Sequence, residues 1–146
     1  MKSWSGSYTV AMVTIHTSYE SDLRCTSTHE PSGTKISTDA PKDNQGRGES
    51  FSPTDMVATA LCSCAMTIMG IKGQREGIDL RGMTGRVVKG MAADPRRISS
   101  TPVEFTIPGN LDSEQRELLE NAARSCPVAK SLHPDIDAVM TFCYAE

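Results

Sequence analysis

No charge of one sign dominates this chain. Its 15 Lys and Arg stand interspersed among 18 Asp and Glu, for a formal net charge of −3. The long-range field that nucleic acid or an anionic membrane surface requires is missing, so neither is expected as a partner. No charged-then-apolar segment with a small-residue cleavage site opens the chain between Met1 and Met12, and the five cysteines are odd in number and irregular in spacing. Both absences speak against a secreted disulfide scaffold and for a cytoplasmic protein whose cysteines are buried hydrophobes, metal ligands or reactive thiols. The close ligand spacing of a zinc loop is missing as well. A site built from Cys62, Cys64, Cys126 and His133 is disfavoured, because helical geometry splits the first pair, and no metal or organic cofactor is expected. The apolar stretch from Met56 to Ile71 is short for a bilayer and interrupted by Thr59, Ser63 and Thr67, so it reads as a core helix. No repeat or low-complexity segment is present.

What is there is enough for one folded domain: 146 residues can bury a genuine core but not two comfortable ones. Tyr8 to His16 and Leu23 to Thr28 are β-prone around a turn-like Ser18 to Asp22, which predicts a hairpin. A further short strand, Thr34 to Thr38, follows the Pro31-Ser32-Gly33 turn, and Pro41 to Ser50 carries so few apolar side chains that it reads as an exposed loop. Ser52-Pro53-Thr54-Asp55 has the grammar of a helix start, with Ser52 as N-cap, Pro53 at the first helical position and Asp55 reaching back in a capping box. The helix is expected to run to about Ile71, with Gly70 and Gly73 as its stop signal and Gln74 to Gly77 as a polar connection.

Leu80 to Met91 and Arg97 to Ile107 predict a second hairpin around Asp94-Pro95. Asp112 caps a helix that should end near Ser125, Cys126-Pro127 opens a short helix toward Leu132, and Ile136 to Tyr144 is a final strand. Strands, buried helix, strands, helices and strand make an α+β arrangement. Met56, Val57, Ala60, Leu61, Cys64, Ala65, Ile68 and Met69 cover most of the central helix's circumference, so something must wrap it on several sides. A homodimer is the expected source of that cover.

The chemistry turns on the cysteines. Cys62 and Cys64 lie two apart on a helix and point roughly 200° from each other, so only one can serve a given small site. Spacing alone does not choose between them. Cys126 precedes a Pro-initiated helix, where free N–H groups and the dipole favour a thiolate, so its pKa is expected to be lowered. Cys64 lies about three turns inside its helix and needs a cation from elsewhere to become reactive. Cys25 and Cys143 fall in predicted strands with no activating neighbour and read as packing residues. Arg47, between two glycines, is a mobile alternative cation, and His29 and His133 read as structural.

The run Phe51-Ser-Pro-Thr-Asp-Met-Val-Ala-Thr-Ala-Leu-Cys-Ser-Cys-Ala-Met-Thr-Ile-Met-Gly70, followed by Ser125-Cys-Pro-Val-Ala-Lys-Ser-Leu132, resembles the OsmC-like and organic hydroperoxide resistance family. Asp22-Leu-Arg-Cys-Thr-Ser-Thr-His29 and Thr38-Asp-Ala-Pro41 extend the likeness, which spans the chain from Val13 to Tyr144. It implies an OsmC-like fold, with antiparallel sheets wrapped around long central helices in an intertwined homodimer, and an N-terminal extension over residues 1–11. It further implies that Cys64 attacks a peroxide, that Cys126 resolves the product as a disulfide, and that Arg24 is the cation beside the attacking thiol. Strand alternation alone leaves open which face Arg24 takes.

The family glutamate that orients this arginine is replaced here by Thr54-Asp55, which leaves Asp55 as the candidate acid. The implied activity is a peroxidase acting on organic hydroperoxides or hydrogen peroxide, with an external dithiol reductant such as a lipoyl-type group. The Glu-to-Asp departure keeps a second reading open: a small-molecule binding or thiol-carrier dimer without efficient peroxidase activity.

Overall fold

The structure, a computed structural model, describes residues 12–145. The chain forms two compact units, Met1–Pro53 and Thr54–Glu146. Within the first, β1 (Ile15–Ser21), β2 (Arg24–His29) and β3 (Lys35–Asp39) form an antiparallel sheet in that order. The predicted first strand begins in part outside the described residues, as does the expected 1–11 extension.

The first turn is tighter than Ser18 to Asp22. β1 runs on through Ser21, and Ser21, Asp22 and Leu23 all adopt positive φ, the left-handed backbone that lets two strands reverse in few residues. The β2–β3 turn lies where Pro31-Ser32-Gly33 predicts it, and the resulting register sets Arg24 opposite Asp39. The polar stretch after β3 is an irregular loop with one 3₁₀ turn at Lys42–Asn44.

The second unit is built around α1 (Pro53–Glu76), which begins at the predicted proline but is longer than the sequence suggests. Gly70 and Gly73 do not stop it. The stop is Gly77, at φ +69°, and the N–H of Ile78 returns to the carbonyl of Gly73 at 2.8 Å, the closing bond of a Schellman motif. At this length α1 meets the length and composition of a membrane span, the expectation that it was too short being an underestimate of its extent. A core helix meets the same test, and α1 buries Ala58, Leu61, Cys62, Ala65, Met69 and Gly73 within the unit.

The predicted second hairpin forms with each arm broken in two. β4 (Thr84–Val87) pairs with β7 (Val103–Ile107), and β5 (Gly90–Ala93) pairs with β6 (Arg96–Ser100). β8 starts later than expected, at Met140–Tyr144, and runs parallel to β7 on its free edge. α2 (Ser113–Arg124) has the full capping box, with Asp112 accepting from the N–H of Gln115 and the Gln115 side chain accepting from the N–H of Asp112. α3 (Pro127–Ser131) follows after two residues. Val103, Phe105 and Ile107 alternate inward from β7 and meet Leu61, Ala65 and Met69 of α1 together with Leu119 and Ala123 of α2 in one core. The architecture is α+β, as the element order implies.

Candidate functional site

α1 and the α2–α3 junction bring two remote thiols together. Cys64 is half-buried on α1 and packs against the core, while Cys126 is fully buried as the N-cap of α3. The Cys64 thiol lies close enough to Cys126 to act on its pKa. Pro127 at the first helical position and the bond from the Lys130 N–H to the Cys126 carbonyl at 3.1 Å hold the cap in place. Cys126 Sγ accepts from the N–H of Ala129 at 3.4 Å, as the reading of a helix start requires.

The expected acidification of Cys126 is overturned. Burial pushes its pKa up; the Ala129 N–H pulls it down, and the neighbouring Cys64 thiol adds to the rise. A helix of five residues offers a weak terminus, whereas complete burial disfavours any charge on sulfur.

Cys62 goes elsewhere, as its position on the helix demands. Its Sγ packs against the backbone of Gly85 in β4, in a spot where even a methyl group on that glycine would collide with it, and burial raises its pKa too. Cys25 is half-buried in β2, and Cys143 is exposed on β8. Among the described residues no three His, Cys, Asp or Glu side chains converge as a metal site would need. His29 Nδ1 lies 2.6 Å from Ser32 Oγ, and His133 Nδ1 accepts from the Asp135 N–H at 3.2 Å, so each serves its own turn.

Two acidic partners and a lysine are not apparent from the sequence. Arg24, on β2, pairs with Asp39 across the sheet, Nη2 to Oδ2 at 3.4 Å, and also donates to Glu49 of the following loop. The Glu49 N–H, foremost, and the Arg24 charge hold the Asp39 carboxyl below its ordinary range against the cost of burial. The strand register implied by the Pro31-Ser32-Gly33 turn is the signal that could have found Asp39. Both carboxylates on Arg24 therefore come from its own unit, and the expected orienting acid, Asp55, is engaged by Lys89, whose Nζ lies 2.6 Å from Oδ1 and 2.9 Å from Thr54 Oγ1. Lys89 sits in the break between β4 and β5, a break that alternation does not reveal. Arg47, the alternative cation, pairs with exposed Asp22 at 3.1 Å.

A groove of about 750 Å³ runs between α1 and α2, floored by Ile68, Ile71, Leu118 and Ala122, with Lys72 and Arg75 at its edge. It starts one turn beyond Cys64 and ends at Ser125, the neighbour of Cys126.

Comparison with known proteins bears on these features. The model of the family described as OsmC-like protein matches residues 46–140. A crystal structure from Psychrobacter arcticus 273-4, of a protein proposed to be induced by osmotic stress and to act in a detoxification response, shares 47% identity and a TM-score of 0.86, over 92% of this chain and 98% of that one. An organic hydroperoxide resistance protein OsmC from Legionella pneumophila (14% identity, TM-score 0.72, 93% of this chain and 99% of that) has the same fold. So has an organic hydroperoxide resistance protein from Elizabethkingia anophelis (16%, 0.73, 94% and 99%). No curated protein sequence matches. The family match covers both the long apolar helix and the Cys126-Pro127 turn, and the chain belongs to the OsmC-like protein family.

Proposed function

We propose that this chain is a thiol-dependent peroxidase of the cytoplasm that reduces organic hydroperoxides or hydrogen peroxide. The observation that carries the reading is the proximity of the Cys64 and Cys126 thiols, near enough for one to act on the pKa of the other. The Cys64 thiolate attacks one peroxide oxygen, the O–O bond breaks as the S–O bond forms, and the departing alkoxide or hydroxide takes a proton and leaves as alcohol or water. Sulfur is oxidised by two electrons to a sulfenic acid.

Cys126 then attacks that sulfur, an S–S bond forms, and the sulfenic hydroxyl leaves with the Cys126 proton as water. An external dithiol of lipoyl type reopens the disulfide by two exchanges, which return both thiols and leave the reductant as its own disulfide. Arg24 is the proposed cation that favours the Cys64 thiolate and polarises the O–O bond, carried over from the family resemblance. The family's association with hydroperoxide resistance supports the substrate class. A homodimer is proposed with it.

The test is peroxide consumption by the purified protein with a dithiol. Cys64→Ser should abolish turnover of cumene hydroperoxide, and Cys126→Ser should leave a sulfenic acid that overoxidises. Full activity in Cys64→Ser would refute the mechanism.

A second reading, a small-molecule binding or thiol-carrier dimer without efficient peroxidase activity, is favoured by one observation: Asp55, at the helix start, is engaged by Lys89. Background peroxide turnover together with a melting temperature raised by a hydrophobic ligand would select it.

A further inference from the structure

The guanidinium of Arg24 is shared between two carboxylates of unequal standing. Asp39 is 1% exposed and fixed, because the β2–β3 register sets it opposite Arg24 and the Glu49 N–H donates to its Oδ2 at 2.9 Å. The Glu49 side chain is 59% exposed and reaches the same Nη2 from the solvent side. Two buried polar atoms in this cluster have no partner among the described residues: Arg24 Nε and Asp39 Oδ1. They are a donor and an acceptor without a hydrogen bond, although the Arg47 N–H also acts on the Asp39 carboxyl, on two groups that already touch through Nη2 and Oδ2. Arg pairs most strongly with a carboxylate through two parallel N–H···O bonds, and these two atoms are the unused half of such a pair.

We propose that Asp39 is the positioning residue for Arg24 in peroxide reduction, acting through the bidentate pair that Nε and Oδ1 complete, with Glu49 as the exposed competitor that holds the guanidinium in its one-bond arrangement. The inference rests on the peroxidase reading and on Arg24 as its cation. A guanidinium fixed through Nε and Nη2 keeps the two N–H groups of Nη1 for a thiolate or peroxide oxygen. A second carboxylate on Nη2 cancels part of the positive charge that those groups would present.

The experiment uses the full chain with Arg24→Ala, Asp39→Asn, their double variant, Glu49→Gln and Cys64→Ser. The readouts are kcat/KM for cumene hydroperoxide with dithiothreitol, the pH profile of Cys64 alkylation, and circular dichroism for folding. Arg24→Ala and Asp39→Asn should each lose ~10-fold or more in kcat/KM and move the alkylation profile to higher pH, with no further loss in the double variant. Glu49→Gln should raise kcat/KM.

Folded Asp39→Asn with wild-type rates beside a crippled Arg24→Ala would overturn the proposal. So would a fall in Glu49→Gln, which decides the matter even if Asp39→Asn does not fold. Wild-type rates in Arg24→Ala beside an inactive Cys64→Ser would remove the cation and this inference but leave the dithiol chemistry standing. An active Cys64→Ser would remove the underlying reading itself.

Discussion

At Cys126 burial and the neighbouring Cys64 thiol oppose the N–H groups of Ala129 and Val128, and burial wins. Burial thus favours the protonated thiol, so its attack on the sulfenic acid requires that proton to pass to the departing hydroxyl. In a Cys64→Ser variant, where the effect of burial remains, alkylation of Cys126 followed against pH should show a midpoint above the ~8.5 of a free thiol. A midpoint near 7 would restore the helix-terminus argument. Gly85 offers a second test at this scale, since a Cβ there would lie 2.5 Å from Cys62 Sγ and 3.0 Å from Met66 Sδ. Gly85→Ala should cost about 1–3 kcal/mol of stability in chemical denaturation, because the core must shift to admit it. Of the two thiols only Cys126 carries a local signature, its Cys-Pro helix start; spacing does not choose Cys64 over Cys62, and the pair is legible only through the family resemblance. The sign of the Cys126 shift is not, since burial is a property of the assembled core. Nor are the partners of Arg24, which depend on strand register.

Among the elements, α1 shows how glycine misleads when it is read without its neighbours. Gly70 and Gly73 look like a stop, yet the helix passes through both and ends at Gly77, the one of the three with a left-handed backbone. A Cβ on Gly70 would meet nothing within 4 Å, whereas one on Gly73 would lie 2.9 Å from Leu80 Cδ1 and 3.1 Å from the Ile78 carbonyl oxygen. Gly73 is thus where the chain folds back tightly against its own helix. Gly70→Ala should raise the unfolding free energy by about 0.5–1 kcal/mol, the ordinary gain of alanine over glycine in a helix interior. Gly73→Ala should show no such gain, and thermal melts of the two variants side by side will separate them. Start signals fared better: Pro53, Asp112 and Cys126-Pro127 each stand where a helix begins, because a cap acts within a few residues. The breaks in the second hairpin and the parallel placement of β8 are illegible, being set by which strand edge the core leaves free.

For the whole molecule, the distribution of buried apolar surface is the informative quantity. Among the described residues the core lies entirely in the second unit, and in the first the buried ones are Asp39 and Ser52, both polar. β1 is exposed along its whole length, and Ile15, Tyr19, Leu23 and Ile36 are each 46% or more exposed. A three-stranded sheet needs an apolar face packed against something to be stable in water. α1 has the same deficit, for only 28% of its most apolar 18-residue stretch is buried. The sequence makes this legible as a helix apolar on every side, which is why a second copy is expected from the residues alone. A homodimer would cover a helix and a sheet that one chain leaves bare, since closed pairs of identical chains are the commonest soluble assembly. Sedimentation of the 15.8 kDa chain should accordingly give a two-chain mass at micromolar concentration. Ile71, 42% exposed on α1 and part of the α1–α2 groove, is the residue to challenge. Ile71→Glu puts a charge on an apolar face and should weaken association by at least ~30-fold if the partner seats there. A wild-type protein that sediments as a monomer across all concentrations would leave the exposed helix unexplained and would sink the dimer.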